Sequence, residues 1–582
     1  MTINTHRSND MADDTQTSQQ TIKRLIGDLY SEQAESTLAR IDALVARYRP
    51  KVADTTPPTD LFDERDTILI TYGDTLHADD EHPLETLHRF GKDRLTDIIE
   101  TIHILPFFPY SSDDGFSVQD YYAVNPEVGT WDDVDALAKD FGLMFDAVFN
   151  HMSAQSAWFD KFLAGEAGYE HLFMTESPDT DLSQVTRPRQ SALLTPFKRP
   201  NGETVHVWTT FSADQVDFDI RHPDTLLHLL DVLLYYVSHG ASIIRLDAIA
   251  FLWKIAGTSS IHLPQTHEVI QVMRAVLNLV APQVILITET NVPHKENVSY
   301  FGDGHNEAQM VYNFTLPPLL FHTFLQQDAT VLREWVNSLS TPSNDATFFN
   351  FTASHDGIGV RPVEGILDEK ALQAMVAHVN QSGGRVSYKR NPDGSDSPYE
   401  LNVTYVDALI VPSEPQALQV KRFVLSQAIA MSLAGVPAIY IHSLLGSRND
   451  IAGMESSGVN RRINRAKLAY ADVQAELDDA SSFRAQVFAA YSHLIAVRRQ
   501  QAAFHPNATQ EALDLGRTDL FGLLRQCGTQ TILALFNLTP ETQTVDVSQW
   551  ITHEAVDVIS GEKKKPQVNL EPYGVVWLAK DA

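Results

Sequence analysis

The sequence predicts an α/β fold: a (β/α)8 TIM barrel with inserted subdomains after strands 3 and 7 and a small C-terminal antiparallel β domain. Three observations support this prediction. Eight short β-rich runs alternate with helical patterns, two intervals between the runs are too long for loops, and strand patterns alone fill the C-terminal region. Eight parallel strands close such a barrel, and its active-site residues come from the C-terminal ends of the strands.

The N-terminal region precedes this alternation. Residues 1–20 are rich in Thr, Gln and Asp, a composition that predicts a disordered tail. Apolar residues recur at helical spacing from Thr21 to about Tyr48, which predicts one or two appended helices. The Pro- and Thr-rich stretch from Pro50 to Asp60 is typical of a linker.

The eight β-rich runs give the barrel strands in order. The predicted strands are Thr67–Tyr72, Ile98–Leu105, Met144–Asn150, Ile243–Asp247, Val284–Glu289, Met310–Leu316, Thr347–Ser354 and Val436–Ile441. About 90 residues separate the third run from the fourth, and about 80 separate the seventh from the eighth. Because structureless loops of that length are uncommon in compact domains, we expect inserted subdomains there.

After about Gln510 the helical pattern stops, and turn residues separate short strand-like runs. These runs, which predict the small antiparallel β domain, are Asp519–Arg525, Thr531–Asn537, Thr544–Val547 and Gly574–Ala579. The predicted organisation is therefore a tail, helices and linker at 1–60, barrel at 61–150, subdomain B at 151–235, barrel at 236–357, an insertion with an acceptor loop at 358–415, barrel at 416–508 and the β domain at 509–582.

Composition limits the classes of function. The 582 residues carry a formal net charge of −31, from 75 acidic and 44 basic side chains. Nucleic acids and anionic membranes both require a basic face, so the sequence disfavours them as partners. A single cysteine, Cys527, excludes an internal disulfide framework and a multi-thiolate zinc site. Residues 1–20 lack an apolar signal-peptide core and no run reaches transmembrane length, which predicts a cytoplasmic protein.

Two charged residues at the end of the fourth predicted strand give the first indication of chemistry. Arg245 and Asp247 are separated by one residue, so side-chain alternation along a strand points both to the same side. An isolated pair of this kind is more often a structural ion pair than a functional one.

The other predicted strand ends favour a functional interpretation. The second run is followed by Asp113-Asp114-Gly115-Phe116, the third ends at Asn150-His151, the fifth at Glu289 and the seventh at His355-Asp356. Carboxylates gathered at one rim would repel each other and would be desolvated, which does not favour stability. Around a hydroxyl-rich ligand they fit glycoside chemistry, which needs a nucleophile, a proton donor and groups that hold ring hydroxyls.

Four sequence motifs then resemble a known family. "DAVFNH", "IIRLDAI", "ITET" and "FTASHDG" resemble the four conserved regions of the α-amylase superfamily, glycoside hydrolase family 13, in the same order. "HILPFFPYSSDDGF", "GTWDDV", "SHDGIGV" and "INR" resemble its sucrose phosphorylase branch. The long N-terminus, "ETNVPH" and "GGRVSYKRNPDGSDSPYELN" are similar to relatives in that branch that act on glucosylglycerol and glucosylglycerate.

The resemblance implies a role for each matching residue. Asp247 would be the nucleophile that forms a β-glucosyl ester, Glu289 the acid/base, and Asp356 the stabiliser of the transition state. Arg245 would keep Asp247 ionised. The residues that would hold glucose hydroxyls are Asp113, His151, His355 and Arg465. The residues that would form apolar walls are Phe116 and Phe211. Retention of configuration predicts that the nucleophile and acid/base carboxyls lie about 5–5.5 Å apart.

Phosphorolysis requires cations near the acceptor side, because a phosphate dianion must approach a pocket rich in carboxylates. Arg189 and Tyr399 match positions that resemble phosphate contacts of sucrose phosphorylase. Basic residues in "TRPRQ" and "GGRVSYKR" could equally lie on a solvated loop face. Gly383-Gly384 and Pro392-Asp393-Gly394 suggest a mobile loop that exchanges the leaving group for phosphate.

Three departures from the sucrose enzymes affect the acceptor side, while the glucose side matches. They are Asn291 in place of histidine, Phe251 in place of tyrosine and Glu400 in place of glutamine. Such changes alter the acceptor and leave the chemistry unchanged. An ionised Glu400 would accept hydrogen bonds from a neutral polyol and repel a carboxylate, which favours 2-O-α-glucosylglycerol over glucosylglycerate, although Arg385, Lys389 and Arg390 favour the latter.

The leading hypothesis is thus a retaining α-glucoside phosphorylase whose small-molecule partners are an α-glucoside, inorganic phosphate and α-glucose 1-phosphate. Alternatives are a sucrose or glucosylglycerate phosphorylase, a retaining glucosidase or transglucosidase, and a non-enzymatic partner subunit, which the three carboxylates disfavour. No cofactor and no metal are predicted, although Asn150 matches a candidate calcium ligand of some amylase relatives. Nothing in the sequence indicates an oligomeric state.

Overall fold

The computed structural model describes residues 4–52, 60–189, 191–390 and 395–580, and side chains from residue 15 onward except that of residue 390. Most of the predicted linker at 50–60 and the turn at Pro392-Asp393-Gly394 lie outside the described residues. The chain divides into two compact units. The first comprises Met1–Leu61, Ile104–Thr290 and Val298–Val311, and the second Phe62–His103, Asn291–Asn297 and Tyr312–Ala582.

Eight strands form a closed barrel, which confirms the predicted fold class. In chain order they are β1 (Ile68–Thr71), β2 (Thr101–Ile104), β3 (Gly142–Ala147), β4 (Ala241–Leu246), β5 (Ile285–Thr288), β6 (Met310–Tyr312), β7 (Thr347–Phe351) and β8 (Val436–Tyr440). Their order around the barrel is β1-β8-β7-β6-β5-β4-β3-β2. Each strand lies within or close to a predicted run.

The register of the strands positions charged residues opposite one another. Arg245 of β4 lies opposite Asp146 of β3 on one side and Ile287 of β5 on the other. Both neighbouring pairs are parallel, so the C-terminal ends of β3, β4 and β5 lie at the same edge. The strands are almost entirely buried, in agreement with their continuous apolar sequences.

The α-helices account for the helical patterns between the strands. They are Asn4–Tyr30, Ala34–Tyr48, Pro83–Arg94, Trp131–Leu137, Ala157–Ala164, Pro223–Ser238, Pro264–Val280, His294–Asn297, Leu316–Gln326, Thr330–Ser338, Glu369–Gln381, Tyr405–Leu409, Gln416–Ser432, Ile441–Leu444, Ile451–Ser457, Tyr470–Asp478 and Phe483–Arg498. Each barrel helix buries one apolar face; Pro223–Ser238, for example, buries all six of its leucines.

The first helix begins at Asn4, so it extends through most of the segment predicted to be a disordered tail. No glycine or proline occurs between Asn4 and Ile26, so nothing in the polar segment interrupts a helix that the buried Ile22, Leu25 and Ile26 anchor. The two N-terminal helices pack on the barrel helices Pro264–Val280 and Pro223–Ser238.

Both long intervals hold structured insertions, as predicted. Between β3 and β4 lie the antiparallel pairs His151–Ser153 with Gln215–Asp217 and Leu194–Lys198 with Thr204–Trp208. A small core of Met174, Val185, Leu193 and Trp208 stabilises this insertion. Between β7 and β8, a three-stranded sheet joins Ile358–Gly359, Asp396–Asn402 and Arg385–Arg390.

The predicted C-terminal β domain is also present. Its six-stranded sheet has the order Thr509–Leu513, Leu520–Cys527, Gln530–Asn537, Val575–Ala579, Ala555–Asp557 and Lys563–Lys564, and a second sheet pairs Gln543–Asp546 with Gln567–Leu570. A separate apolar core, which includes Leu533, Leu535 and Leu578, lies between these strands. A two-stranded pair, Leu76–His77 with Leu468–Ala469, completes the sheets described. Within the described part of the chain, every helix is too short or too polar to cross a membrane.

Candidate active site

A single buried guanidinium organises the acidic residues at the ends of β3, β4 and β5. Arg245, which is 1% exposed, donates a hydrogen bond to the Asp247 Oδ1 at 2.9 Å and another to Asp146. Its second terminal nitrogen lies 3.9 Å from the Glu289 Oε2. Arg245 and Asp247 therefore lie on the same side, as strand alternation predicts. Because one cation contacts both Asp247 and Glu289, the structure brings these two carboxylates together.

The backbone after Asp247 fixes the second carboxylate. Ala248 has φ +48°, a left-handed conformation that costs a non-glycine residue on the order of 1–3 kcal/mol. In this conformation the Ala248 N–H donates to the Glu289 Oε2 at 3.0 Å. The strained residue thus orients the Glu289 carboxylate beside Asp247, and strain of this kind is common at functional sites.

A tight turn holds Asp113 and Phe116. The 3-10 turn Asp113–Gly115 contains three consecutive residues with positive φ, at +54°, +50° and +110°. Glycine is required at position 115, since a Cβ there would lie 2.6 Å from the Pro106 carbonyl oxygen. The Arg245 guanidinium carbon lies 5.5 Å from the centre of the Phe116 ring.

His151 is buried next to the same turn. Its Nε2 lies 2.9 Å from the Phe116 carbonyl oxygen and 3.2 Å from the Gln215 Nε2. Gln215 also donates to the Asp113 Oδ2 at 3.2 Å, so one amide connects the two predicted ligand residues. Burial lowers the pKa of His151, which favours the neutral imidazole.

Aromatic rings extend this group of residues. The Phe211 ring centre lies 5.2 Å from that of His151 and 5.6 Å from that of Phe251. The Arg189 guanidinium carbon lies 5.9 Å from the Phe211 ring centre. The structure therefore brings Arg189, Phe211 and His151 together within the first unit, together with Asp113, Phe116, Arg245, Asp247 and Glu289.

The second unit contains the remaining predicted residues. The Asp356 Oδ2 lies 3.6 Å from the His355 Nε2, and its Oδ1 lies 3.8 Å from a terminal nitrogen of Arg465. Arg465 donates its Nε–H to the His355 carbonyl oxygen at 2.7 Å. His355 and Arg465 are both buried, so these contacts hold the segment that carries Asp356.

Arg461 is a functional candidate that the sequence analysis missed. One of its terminal nitrogens lies 2.7 Å from the Asp356 Oδ1. Its other donors form a bidentate pair with Glu400, at 3.0 Å and 2.7 Å. Glu400 is only 2% exposed and its negative charge is compensated by this arginine, so it is not an isolated charge; its contact with the acceptor stays a prediction.

Asn291 lies on the same side of the second unit as Asp356. Both line a pocket whose other walls include Gly357, Gly359 and Tyr405. Glycine at position 359 allows this approach, since a Cβ there would lie 2.7 Å from the Asn291 Nδ2. Among the residues that the structure describes, the buried Asn291 Oδ1 has no hydrogen-bond partner. Tyr399 lies one residue before Glu400, where its carbonyl oxygen accepts from Val360 N–H at 3.1 Å.

The candidate calcium ligand Asn150 binds a lysine instead. The buried Lys254 Nζ donates to the Asn150 Oδ1 at 2.9 Å and lies 3.1 Å from the Asp217 Oδ2. An ammonium at this position supplies the positive charge, so these side chains do not fit a bound metal ion. Lys254 is seven residues after Asp247, and nothing in its sequence context indicated a buried lysine.

The closed parallel barrel with acidic strand ends defines the molecule as a (β/α)8 barrel of the α-amylase type. The sequence-family model for the α-amylase catalytic domain matches residues 95–372. The family model for the C-terminal immunoglobulin-like domain of D-apionate lactonase matches residues 518–578.

The similar proteins of known activity are glycoside phosphorylases. The chain is 46% identical to a glucosylglycerate phosphorylase of Allomeiothermus silvanus over 96% of this chain and 98% of the relative. It is 27% identical to a glucosylglycerol phosphorylase of Marinobacter adhaerens over 70% and 83% of the two chains. A crystal structure of sucrose 6F-phosphate phosphorylase from Thermoanaerobacter thermosaccharolyticum superimposes with a TM-score of 0.72 at 25% identity, over 87% of this chain and 98% of that one. The chain belongs to the glycoside phosphorylases of the α-amylase family.

Proposed function

We propose that this protein is a retaining glucosylglycerate phosphorylase, which transfers glucose from 2-O-α-glucosylglycerate to phosphate and releases glycerate and α-glucose 1-phosphate. The observation that carries the chemistry is the pair Asp247 and Glu289 held by Arg245. A carboxylate nucleophile next to a second carboxyl that can donate and accept a proton is the arrangement that double displacement requires.

In the first step, the Asp247 carboxylate attacks C1 of the glucosyl group while the bond from C1 to the glycerate oxygen breaks. Glu289, protonated at this stage, gives its proton to that oxygen. A β-glucosyl ester of Asp247 results. In the second step, an oxygen of hydrogen phosphate attacks C1 from the opposite face and displaces the Asp247 carboxylate, so the product has the α configuration. The Glu289 carboxylate accepts the proton of the hydrogen phosphate in this step and is thereby protonated again for the next cycle.

The other predicted residues act on the glucose. We assign the hydroxyl contacts to Asp113, His151, His355, Asp356 and Arg465, and the apolar walls to Phe116 and Phe211. Asp356 would stabilise the transition state through the 2- and 3-hydroxyls. Arg189 and Tyr399 remain our candidates for phosphate, because Arg189 lies against Phe211 among the glucose-side residues.

The choice of glycerate over glycerol rests on Glu400 and on the relatives. The expectation of glucosylglycerol depended on an uncompensated Glu400, and Arg461 pairs with that carboxylate. The relative with 46% identity carries the name glucosylglycerate phosphorylase, whereas the glucosylglycerol enzyme is 27% identical. Glucosylglycerol as the best substrate is therefore not confirmed. We assign Asn291 to the acceptor, since its buried Oδ1 could accept from an acceptor hydroxyl.

The test is a substrate panel. Purified enzyme receives 2-O-α-glucosylglycerate, 2-O-α-glucosylglycerol or sucrose, each with and without phosphate, and α-glucose 1-phosphate and free glucose are quantified. We expect phosphate-dependent α-glucose 1-phosphate from glucosylglycerate, with kcat/KM at least ~10-fold above the other substrates, about the 1.4 kcal/mol that one good acceptor contact supplies.

The outcomes separate the parts of the proposal. A higher kcat/KM with glucosylglycerol would overturn the acceptor and leave phosphorolysis intact. Free glucose as the main product, independent of phosphate, would instead favour the glucosidase alternative. The variant Asp247→Asn should be inactive with every substrate, while Asp181→Asn, a change at a carboxylate of the inserted subdomain that caps the Ser183 N–H, should leave activity unchanged.

A further inference from the structure

A cluster of serine hydroxyls surrounds one carboxylate beside the Asp113 turn. Asp214, in the insertion between β3 and β4, accepts hydrogen bonds at its Oδ2 from Ser111 at 2.5 Å, from Ser117 at 2.7 Å and from Ser112. The Ser153 Oγ lies 3.4 Å from its other carboxylate oxygen. No role in the proposed reaction accounts for this cluster.

The donors lie on both sides of the strained turn. Ser111 and Ser112 precede Asp113–Gly115, and Ser117 follows Phe116. The Ser111 N–H also donates to the Ser117 carbonyl oxygen at 3.1 Å, which closes the loop. Asp113 and Asp114 both have positive φ, a conformation that non-glycine residues adopt only when their surroundings enforce it. Asp214 accepts from serines on both flanks of this turn from outside the loop.

The next residue in the chain completes the contact. Gln215 donates to Asp113 at 3.2 Å and to the Phe116 carbonyl oxygen at 3.2 Å, and it lies 3.2 Å from the His151 Nε2. The Asp214 side chain therefore contacts the serines that flank the turn, and the Gln215 side chain contacts Asp113 within the turn and Phe116 next to it. Although burial alone would raise it, the hydroxyl donors lower the pKa of Asp214, so the carboxylate stays ionised.

We infer that Asp214 is a positioning residue for the glucose side of the site: its serine contacts hold the strained Asp113–Gly115 turn in the conformation that presents Asp113 to glucose hydroxyls. This inference rests on the proposed function only in that Asp113 binds glucose. It concerns every donor that carries a glucosyl group, and the identity of the acceptor does not affect it.

The alternative is a purely structural role, in which the cluster only joins the insertion to the barrel. A residue with that role would contribute to the melting temperature and leave substrate binding unchanged. A positioning residue, in contrast, should raise KM for glucosyl donors in a folded enzyme and leave KM for phosphate unchanged, because the residues proposed for phosphate, Arg189 and Tyr399, lie outside the turn.

The experiment compares Asp214→Ala with Asp181→Ala, a matched loss of a carboxylate in the same insertion. KM and kcat are measured for α-glucose 1-phosphate in the synthetic direction and for phosphate in the phosphorolytic direction, with whichever acceptor the wild type uses. We expect Asp214→Ala to raise KM for α-glucose 1-phosphate at least ~10-fold, about 1.4 kcal/mol of lost donor binding, with KM for phosphate within ~2-fold of wild type and Asp181→Ala unchanged. Asp214→Asn, which keeps one acceptor oxygen, should recover part of the loss.

An unchanged KM for the donor in folded Asp214→Ala would overturn the inference, as would an equal rise for donor and phosphate. If Asp214→Ala does not fold, the double variant Ser112→Ala with Ser117→Ala removes two donors and is judged by the same criteria. Inactivity of the wild type with all glucosyl donors would refute the proposed function, and this outcome is distinct from a shift in KM between variant and wild type.

Discussion

At the scale of single residues, the site depends on how buried charges are compensated. Arg245 is almost fully buried and contacts Asp146, Asp247 and Glu289. Removing one partner of a buried ion pair leaves uncompensated charge and typically costs about 3–5 kcal/mol. Arg245 therefore contributes to the fold of the barrel rim and places a positive charge beside both Asp247 and Glu289.

This dependence predicts the effect of Arg245→Lys. A lysine keeps the charge but lacks the planar fork that reaches two acids at once. We expect kcat to fall at least ~100-fold, about 2.7 kcal/mol of lost transition-state stabilisation. The control is Arg221→Lys, at an arginine that pairs with Asp219 in a bidentate geometry. Steady-state kinetics give kcat for both variants. Equal kcat values for Arg245→Lys and Arg221→Lys would contradict the role of Arg245 in catalysis.

The pair of Glu400 and Arg461 gives a second prediction. Arg461→Gln leaves the buried Glu400 without its bidentate partner, so we expect it to lower the free energy of unfolding by about 3 kcal/mol. The double variant Arg461→Gln with Glu400→Gln removes both charges and should recover much of that loss. Urea unfolding of the two single variants and the double variant gives the coupling. Strict additivity would show that the two residues are not coupled.

At this site, contacts within one strand are predictable from the sequence, whereas contacts between distant loops are not. The proximity of Arg245 and Asp247 followed from strand alternation, which depends on local geometry alone. The ion pair of Glu400 with Arg461 did not follow, because Arg461 is 61 residues away in the chain, in the 3-10 turn Asn460–Asn464. Pairing between distant loops leaves no periodic signal in the sequence.

At the scale of elements, one buried lysine connects the insertion between β3 and β4 to the barrel. Lys254 follows β4, Asn150 follows β3, and Asp217 belongs to a strand of the insertion that pairs with His151–Ser153. Asp217 also accepts from the Thr210 N–H at 3.0 Å, next to Phe211. The lysine therefore stabilises the elements that carry His151 and Phe211.

We predict that Lys254→Met lowers the free energy of unfolding by about 3–5 kcal/mol, because it leaves Asp217 buried without its cation. Lys198→Met, at an exposed lysine of the same insertion, should stay within about 0.5 kcal/mol of wild type. Chemical denaturation measures both. Calcium should not raise the melting temperature of the wild type, since Lys254 already supplies the cation at Asn150. A clear stabilisation by calcium would contradict this account of the cluster.

The N-terminal helices are elements that the sequence predicted only in part. The apolar spacing from Thr21 onward predicted Ala34–Tyr48 and about the last third of Asn4–Tyr30, whereas the polar residues before Thr21 have no periodic signal. The helices are held by specific contacts as well as by apolar packing. The Tyr30 hydroxyl donates to the Ile220 carbonyl oxygen at 2.8 Å, and the Tyr48 hydroxyl to Asp231 at 2.9 Å.

Leu25→Ala tests whether this packing contributes to stability. Leu25 is fully buried in the first helix, which packs on Pro264–Val280, so we expect a loss of about 2–5 kcal/mol from the missing contacts and the cavity. Lys23→Ala, at an exposed position two residues earlier, is the control. Thermal and chemical unfolding of both variants provide the measurement. Equal stabilities would mean that the helix contributes little to the fold.

At the scale of the whole molecule, the barrel was predictable because its strands are buried on both faces and are continuously apolar. Counting such runs gave the strand number, and long intervals between them gave the insertions. The short pairs, such as Leu76–His77 with Leu468–Ala469, were not predictable. Two-residue strands that pair across almost 400 residues of sequence have no pattern of their own.

The stability of the molecule toward acid depends on buried histidines, of which His442 is the sharpest case. It lies in the short helix Ile441–Leu444 that follows β8, and its Nδ1 is 3.1 Å from the Ser447 hydroxyl. Burial, assisted by Lys467 and Arg484, lowers its pKa to about 3. Above about pH 6.5 the ring is neutral in the folded and the unfolded chain, so it makes no pH-dependent contribution.

Between pH 6.5 and 3 the unfolded chain binds a proton at His442 that the folded chain does not, so the free energy of unfolding falls with pH. By pH 4.5 this single group should cost about 3 kcal/mol relative to pH 7. His442→Gln removes the titration. We therefore expect the difference in unfolding free energy between wild type and variant to be constant above pH 7 and to shift in favour of the variant by about that amount at pH 4.5. Urea unfolding across this pH range measures the free energy of unfolding of both proteins. The control is His553→Gln, at an exposed histidine. A difference independent of pH would show that His442 titrates normally in the folded chain.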